Sequence, residues 1–338
     1  MKKSLLATAI LSALVAAAGA QATTVKVSGQ VSRMVIIPDD EAGDEVQFVD
    51  IGFSGSRVRF TGDHDLGNGV KAGFRFEQQF ESNRSGAVNG GQTNGGDDDF
   101  LDARYQDVYF AGSFGKVSLG KGDGATNGGT ESDLSGTALI ATSNTQDNFG
   151  SFDLGAGVTT SDAYRQFDGL SRVNRLRYDT PRFGGGFGVA VSYGQGSATE
   201  ILGSYKGKLG STKADFRIFF ADGDDFTGDT EITGLSGSIL LAGGLNFTLA
   251  YSEAEDDDGD SVEGTFVKAG YKVGKHAFAI DYGMGEGDGR EDGETVGVTY
   301  ANHPVKGVEV FASYRSFDSD EDGTSSIDLF SLGSRVKF

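Results

Sequence analysis

The chain has 338 residues, a formal charge of −20 and no cysteine. The acid excess removes the basic footprint that nucleic-acid binding needs, and the missing thiols exclude a disulfide framework. Glycine (54) with little proline (3) would suit disorder, but 25 phenylalanines and 11 tyrosines argue for a folded chain with one apolar side to its strands.

The chain opens with Lys2 and Lys3, an apolar run Leu5 to Ala18, and the small-residue triplet Ala20-Gln21-Ala22. This pattern predicts a secretory signal peptide over 1–22, because the run is shorter than the ~20 residues of a spanning helix. Loss of Lys2 and Lys3 with the leader takes the formal charge from −20 to −22. From residue 23 the recurring period is two. Val25, Val27 and Val31 alternate with Lys26, Ser28 and Gln30, and Arg33 interrupts the apolar side, predicting a bulge or a strand end. Val58 and Phe60 oppose Arg57, Arg59 and Thr61; Ala72, Phe74 and Phe76 oppose Lys71, Arg75 and Glu77. Two strands over Tyr105–Ala111 and Lys116–Gly120 flank a tight turn. A long stretch without strand pattern then runs from about Lys121 to about Val173, carrying Asp123, Glu131, Asp133, Asp147, Asp153 and Asp162. A loop of that length is usually functional or disordered, and here it is predicted to fold inward and narrow a bore.

Beyond it, Leu176 and Tyr178 oppose Arg175 and Arg177, and the alternation recurs through Phe187–Tyr193, Ala214–Phe220, Leu245–Ser252, Val267–Val273, Phe278–Tyr282 and Val308–Arg315. Short connections such as Gly112–Gly115 and Ala242–Gly244 alternate with long acidic ones such as Glu253–Asp260 and Gly285–Glu294. Pro38, Pro181 and Pro304 are assigned to turns or loops, where no ladder donor is lost. The reading is an all-β, transmembrane, antiparallel up-and-down β-barrel of about 16 strands over 23–338, a size that holds an aqueous channel. Phe330, Leu332, Val336 and Phe338 share one face of the last strand.

Three blocks carry a family resemblance. Ser56 to Glu77 resembles the second and third strands of the general porins of Gram-negative bacteria; Arg104 to Lys121 resembles the pair entering their constriction loop; Asn174 to Pro181 resembles the strand leaving it. The resemblance implies a homotrimeric, 16-stranded barrel in the outer membrane, in contact with its lipid and lipopolysaccharide, that passes small hydrophilic solutes and ions by diffusion. It implies a basic eyelet wall at Arg57, Arg59, Arg75, Arg104, Arg175 and Arg177. It implies facing acids among Asp123, Glu131, Asp133 and Asp147, and it makes Phe338 the signal read by the outer-membrane assembly machinery. Here the loop is longer than the common family pattern, is rich in Gly, Ser and Thr, and has its acids spread out, which leaves the choice among them open.

No cofactor is expected, although the acidic runs Asp97–Asp99 and Asp256–Asp260 could hold Ca²⁺ instead of being plainly solvated. A hydrolase would have to use His64, His276 or His303, all in or beside short turns, so an enzyme is not expected. The same strand pattern is compatible with a substrate-specific channel, a non-conducting adhesive barrel or a soluble secreted β-protein. The inward arginines favour anions at the eyelet, whereas the total charge and acidic loops raise cations at the mouth, a balance that tilts slightly toward cations.

Overall fold

The computed structural model describes residues 24–39, 45–87, 101–223, 230–289 and 291–338. The predicted leader and the run Asp97–Asp99 lie outside the described residues. No helix among the described residues is long and apolar enough to cross a membrane, which leaves spanning to strands.

The described strands, in chain order, are β1 (Lys26–Asp39), β2 (Gln47–Asp50), β3 (Arg57–Asp65), β4 (Lys71–Phe80), β5 (Leu101–Gly112) and β6 (Gly115–Asp123). A short hairpin of β7 (Asp153–Gly155) and β8 (Val158–Thr159) follows. Then come β9 (Arg172–Asp179), β10 (Phe187–Gly194), β11 (Thr199–Leu209), β12 (Thr212–Asp222), β13 (Glu231–Leu240) and β14 (Leu245–Glu255). The last are β15 (Ser261–Val273), β16 (His276–Gly287), β17 (Gly293–Asn302), β18 (Val308–Ser319) and β19 (Ile327–Lys337). Without β2, β7 and β8, each strand pairs antiparallel with its neighbours, from β3–β4 round to β18–β19, and β1 joins β3 to β19. The result is a closed 16-stranded barrel in which β1 pairs with β19, so the ladder satisfies its backbone groups from strand to strand.

Closure uses the chain's end. Phe338 and Gly29 exchange two backbone hydrogen bonds of 3.0 Å. A Cβ on Gly29 would sit 2.6 Å from the Phe338 ring, so the small residue seats the terminal aromatic.

Period two sorts the faces. Leu119, Leu176, Ile218, Ile280, Val298 and Leu332 stand exposed on the outer parity, an apolar surface suited to the hydrocarbon of a membrane. The opposite parity faces the lumen. Arg33 corrects the expectation at its position: β1 continues through it without a register shift. Its upper half trades β3 for β2, and Arg33 pairs with Asp50 at 2.7 Å at that change of partner, which neutralises the outward charge. Pro38 lies inside β1 instead of in a turn, beyond the last β2 pair at Ile36, where one edge has run out of partners.

Candidate functional site: a charged eyelet

The connection between β6 and β9 covers 124–171, and it lies inside the barrel. Its apolar side chains, including Leu139, Ile140, Phe149, Phe152 and Tyr164, pack against inward Phe266, Phe311, Phe317 and Leu329 of the wall. Phe167 and Leu170 form a second patch with Phe219 and Ile232. Burial of these rings is the main force holding so long a loop in a wet bore. Polar ties fix its register: Ala125 N to Ser192 Oγ (2.8 Å), Leu134 N to Ser238 Oγ (3.0 Å) and Phe167 N to Ser252 Oγ (2.8 Å). Wall glycines make room: a Cβ on Gly52 would lie 1.9 Å from the Asp147 carbonyl oxygen, and one on Gly264 would lie 2.1 Å from that of Arg165.

Facing the loop, β3, β4, β5 and β9 present seven arginines. Buried Glu77 takes Arg104 Nε at 2.9 Å, Arg57 Nε at 3.7 Å and a close contact from Arg59. Buried Asp107 takes Arg75 Nη2 at 3.2 Å and Arg175 Nη2 at 2.9 Å. Arg75 stacks on Tyr105, its guanidinium carbon 3.4 Å from the ring centroid, and Asp123 pairs with Arg172 at 3.2 Å. Wall carboxylates thus absorb the mutual repulsion of the arginines and fix their geometry.

Six of these arginines are expected from the sequence, and they divide. Arg57 and Arg104 line a polar cavity of about 640 Å³ between wall and loop. Arg59 and Arg75 sit on the same wall strands around Tyr105. Arg175 is a correction: its side chain is 1% exposed, and it donates to the carbonyls of Asp123 (2.9 Å) and Gly120 (2.8 Å). It anchors the loop's stem instead of offering charge to the bore. Arg177 does both: it is bound to Asp179 at 2.8 Å and to the Gly124 carbonyl, yet stays 21% exposed and lines a smaller polar cavity of about 230 Å³ with Arg75 and Lys116.

The acids divide too. Glu131 and Asp147 line the cavity. Asp123 closes strand β6 and is taken up by Arg172 and the Tyr105 hydroxyl. Asp133 points the other way and pairs with buried Lys268 on the far wall. These two are therefore wall and anchor groups, because each already has a cation of its own. Sequence reasoning missed Asp168, Arg172, Arg84 and Arg165, which complete the cavity lining. Arg172 shares its strand with Arg175 and Arg177; a loop without period carries no comparable signal for the other three.

Burial pushes the Glu131 carboxyl well above the usual carboxylate range, and the Asp168 and Asp147 charges push it further. Burial also raises Asp168, to about 6, with the Asp147 charge adding to it. Burial raises Asp147 as well, against the pull of Arg84, Arg172, Arg104 and Arg165. Five arginines thus face three acids of weakened charge, and an anion meets an attractive surface there. Among the described residues no group of three or more metal-ligating side chains comes together.

A family model described as "Gram-negative porin" matches residues 7–322. The chain belongs to the Gram-negative porin family. It is 32% identical over 212 residues to outer membrane porin protein 32 of Delftia acidovorans, a match covering 61% of this chain and 55% of that protein. The chain thus aligns with about half the length of that curated relative. Among solved structures it superposes on the anion-selective porin of Comamonas acidovorans with a TM-score of 0.67 at 18% identity, covering 94% of this chain and all of the other. It also superposes on a trimer form of OmpT, an outer membrane protein of Vibrio cholerae, with a TM-score of 0.61 at 15% identity over 94% of this chain and all of the other. These likenesses bear on the fold, and family membership places the porin in the bacterial outer membrane.

Proposed function

We propose that this porin is a water-filled channel for passive diffusion of small hydrophilic solutes, with a preference for anions. The observation that carries the preference is the cavity in which Arg57, Arg84, Arg104, Arg165 and Arg172 face Glu131, Asp147 and Asp168. Local charge at the narrowest part outweighs the chain's total of −20, because exposed loop carboxylates more than a Debye length away are screened. This reverses the slight tilt toward cations taken from the total charge. A field across a narrow polar bore lets polar solutes orient and shed water, whereas apolar solutes must disrupt ordered water.

The porin works as a homotrimer in outer-membrane lipid and lipopolysaccharide, with Phe338 as the residue the assembly machinery reads. It is a channel and not an enzyme: His303 is engaged with the Gly136 carbonyl at 2.9 Å and His276 with the Tyr300 hydroxyl at 2.8 Å. A substrate-specific sugar channel would need stacking rings along the lumen, but Phe60, Phe76, Phe216, Phe247 and Phe278 stand on the outer face. The acidic turn 256–260 is read as solvated, without bound Ca²⁺.

Planar-bilayer recording of the detergent-purified protein tests this. Stepwise openings, commonly in threes, with a reversal potential of anionic sign under a KCl gradient are expected. A cationic reversal would overturn the preference, and no conductance from folded protein would overturn the channel.

A further inference from the structure

The constriction loop divides the lumen into two vestibules of opposite charge. At the short-turn end, Lys26, Lys71, Lys206, Lys208, Lys213 and Lys272 are all exposed and lie on the lumenal parity of their strands. Their parity is fixed by inward neighbours: Lys26 shares its face with Gln30, which binds Ser54. Lys206 reaches Asp215 at 3.0 Å, on the strand where Arg217 binds the loop carbonyl of Gly128. Lys272 shares its face with Lys268, which holds Asp133 of the loop. The exposed acids on that stretch of lumen, Asp63 and Asp65, are fewer, and Lys71 lies 3.4 Å from Asp63. At the other end the exposed turns carry Asp256, Asp257, Asp258, Asp288, Asp292 and Asp320. The eyelet sits between the two.

We infer that this pore is a bipolar ionic rectifier, with an acidic mouth at the long loops and a lysine-lined mouth at the short turns. The inference rests on the diffusion-channel reading. The acidic mouth is enriched in cations and the basic mouth in anions. When the long-loop side is positive, cations enter from the acidic mouth and anions from the basic one. Both accumulate at the eyelet and its resistance falls. The opposite polarity draws both ions outward and depletes the eyelet. The effect requires charge layers as wide as the vestibule, which holds at a Debye length of ~30 Å in 0.01 M salt and fails at ~3 Å in 1 M.

The test is a current–voltage curve of the full-length, singly oriented channel in symmetric KCl. Currents at opposite polarities should differ by about twofold or more at ~0.01 M and become equal at ~1 M. The combined variant Lys206→Gln, Lys208→Gln, Lys213→Gln should bring the low-salt ratio toward one while openings persist. Asp256→Asn, Asp257→Asn, Asp258→Asn, in a turn outside the strands, should do the same if the lysine variant fails to assemble. An ohmic curve at low salt overturns the rectifier and leaves the channel reading intact. So does a polarity difference that survives 1 M salt, which would mark voltage-driven closure instead. Absence of any channel overturns both.

Discussion

The two sides of the bore solve different problems with the same alternating strands. On β3 to β6 and β9 the lumenal residues are long cations, ordered by Glu77, Asp107 and Asp123 on the wall itself. On β15 to β18 the lumenal residues include Gly264, Phe266, Ala277, Gly283, Ala301 and Phe311, with Lys268, Asp281 and Arg315 buried in ion pairs among them, a seat that the loop covers. One wall is built to meet water and solutes, the other to bury a loop. A narrow bore therefore needs a dry wall behind the loop as much as a charged wall in front of it.

The largest expected effect comes from breaking the dry side. Lys268→Met leaves Asp133 without its cation in a buried place, at a cost of about 3–5 kcal/mol. Urea unfolding of the refolded barrel should show it, and adding Asp133→Leu should restore most of the loss. On the charged side, Gly52→Val puts carbon where the Asp147 carbonyl oxygen lies, an overpacking worth about 1–3 kcal/mol that displaces the loop. Liposome swelling should then admit larger sugars than the parent does.

The two sides were not equally legible in the sequence. The strands and the arginines of β3, β4 and β9 follow from period two, because each strand carries its own signal, and the long loop follows from the stretch where that period lapses. The seat did not: inward Phe266, Phe311 and Phe317 look like breaks in polarity until the loop lies over them. Nor could spacing tell Arg57, at the cavity, from Arg175, spent on β6 carbonyls, since both occupy lumenal positions. Among the acids, Asp168 and Asp133 differ only in which wall they face, and tertiary packing alone decides that.

The charged side yields smaller effects. Arg57→Ser removes one cavity cation, about 1 kcal/mol at contact distance in water, so the chloride-to-potassium permeability ratio should fall about fivefold. A smaller shift follows from pH. Asp168, raised to about 6, is ionised above that pH and neutral below it. Between pH 8 and pH 5 the eyelet thus loses negative charge, and the anion preference should rise by about twofold. The reversal potential across that range checks the sign.

The central claim is that the loop lies in the bore opposite the arginines, and the lack of native cysteine allows a direct test. Asn127 lines the cavity from the loop, so Asn127→Cys places one thiol there. In bilayer recordings a sulfonate-bearing thiol reagent should reduce the current in steps, and it should react faster than an ammonium-bearing one of equal size. Unchanged current, or faster reaction with the cationic reagent, would contradict the account.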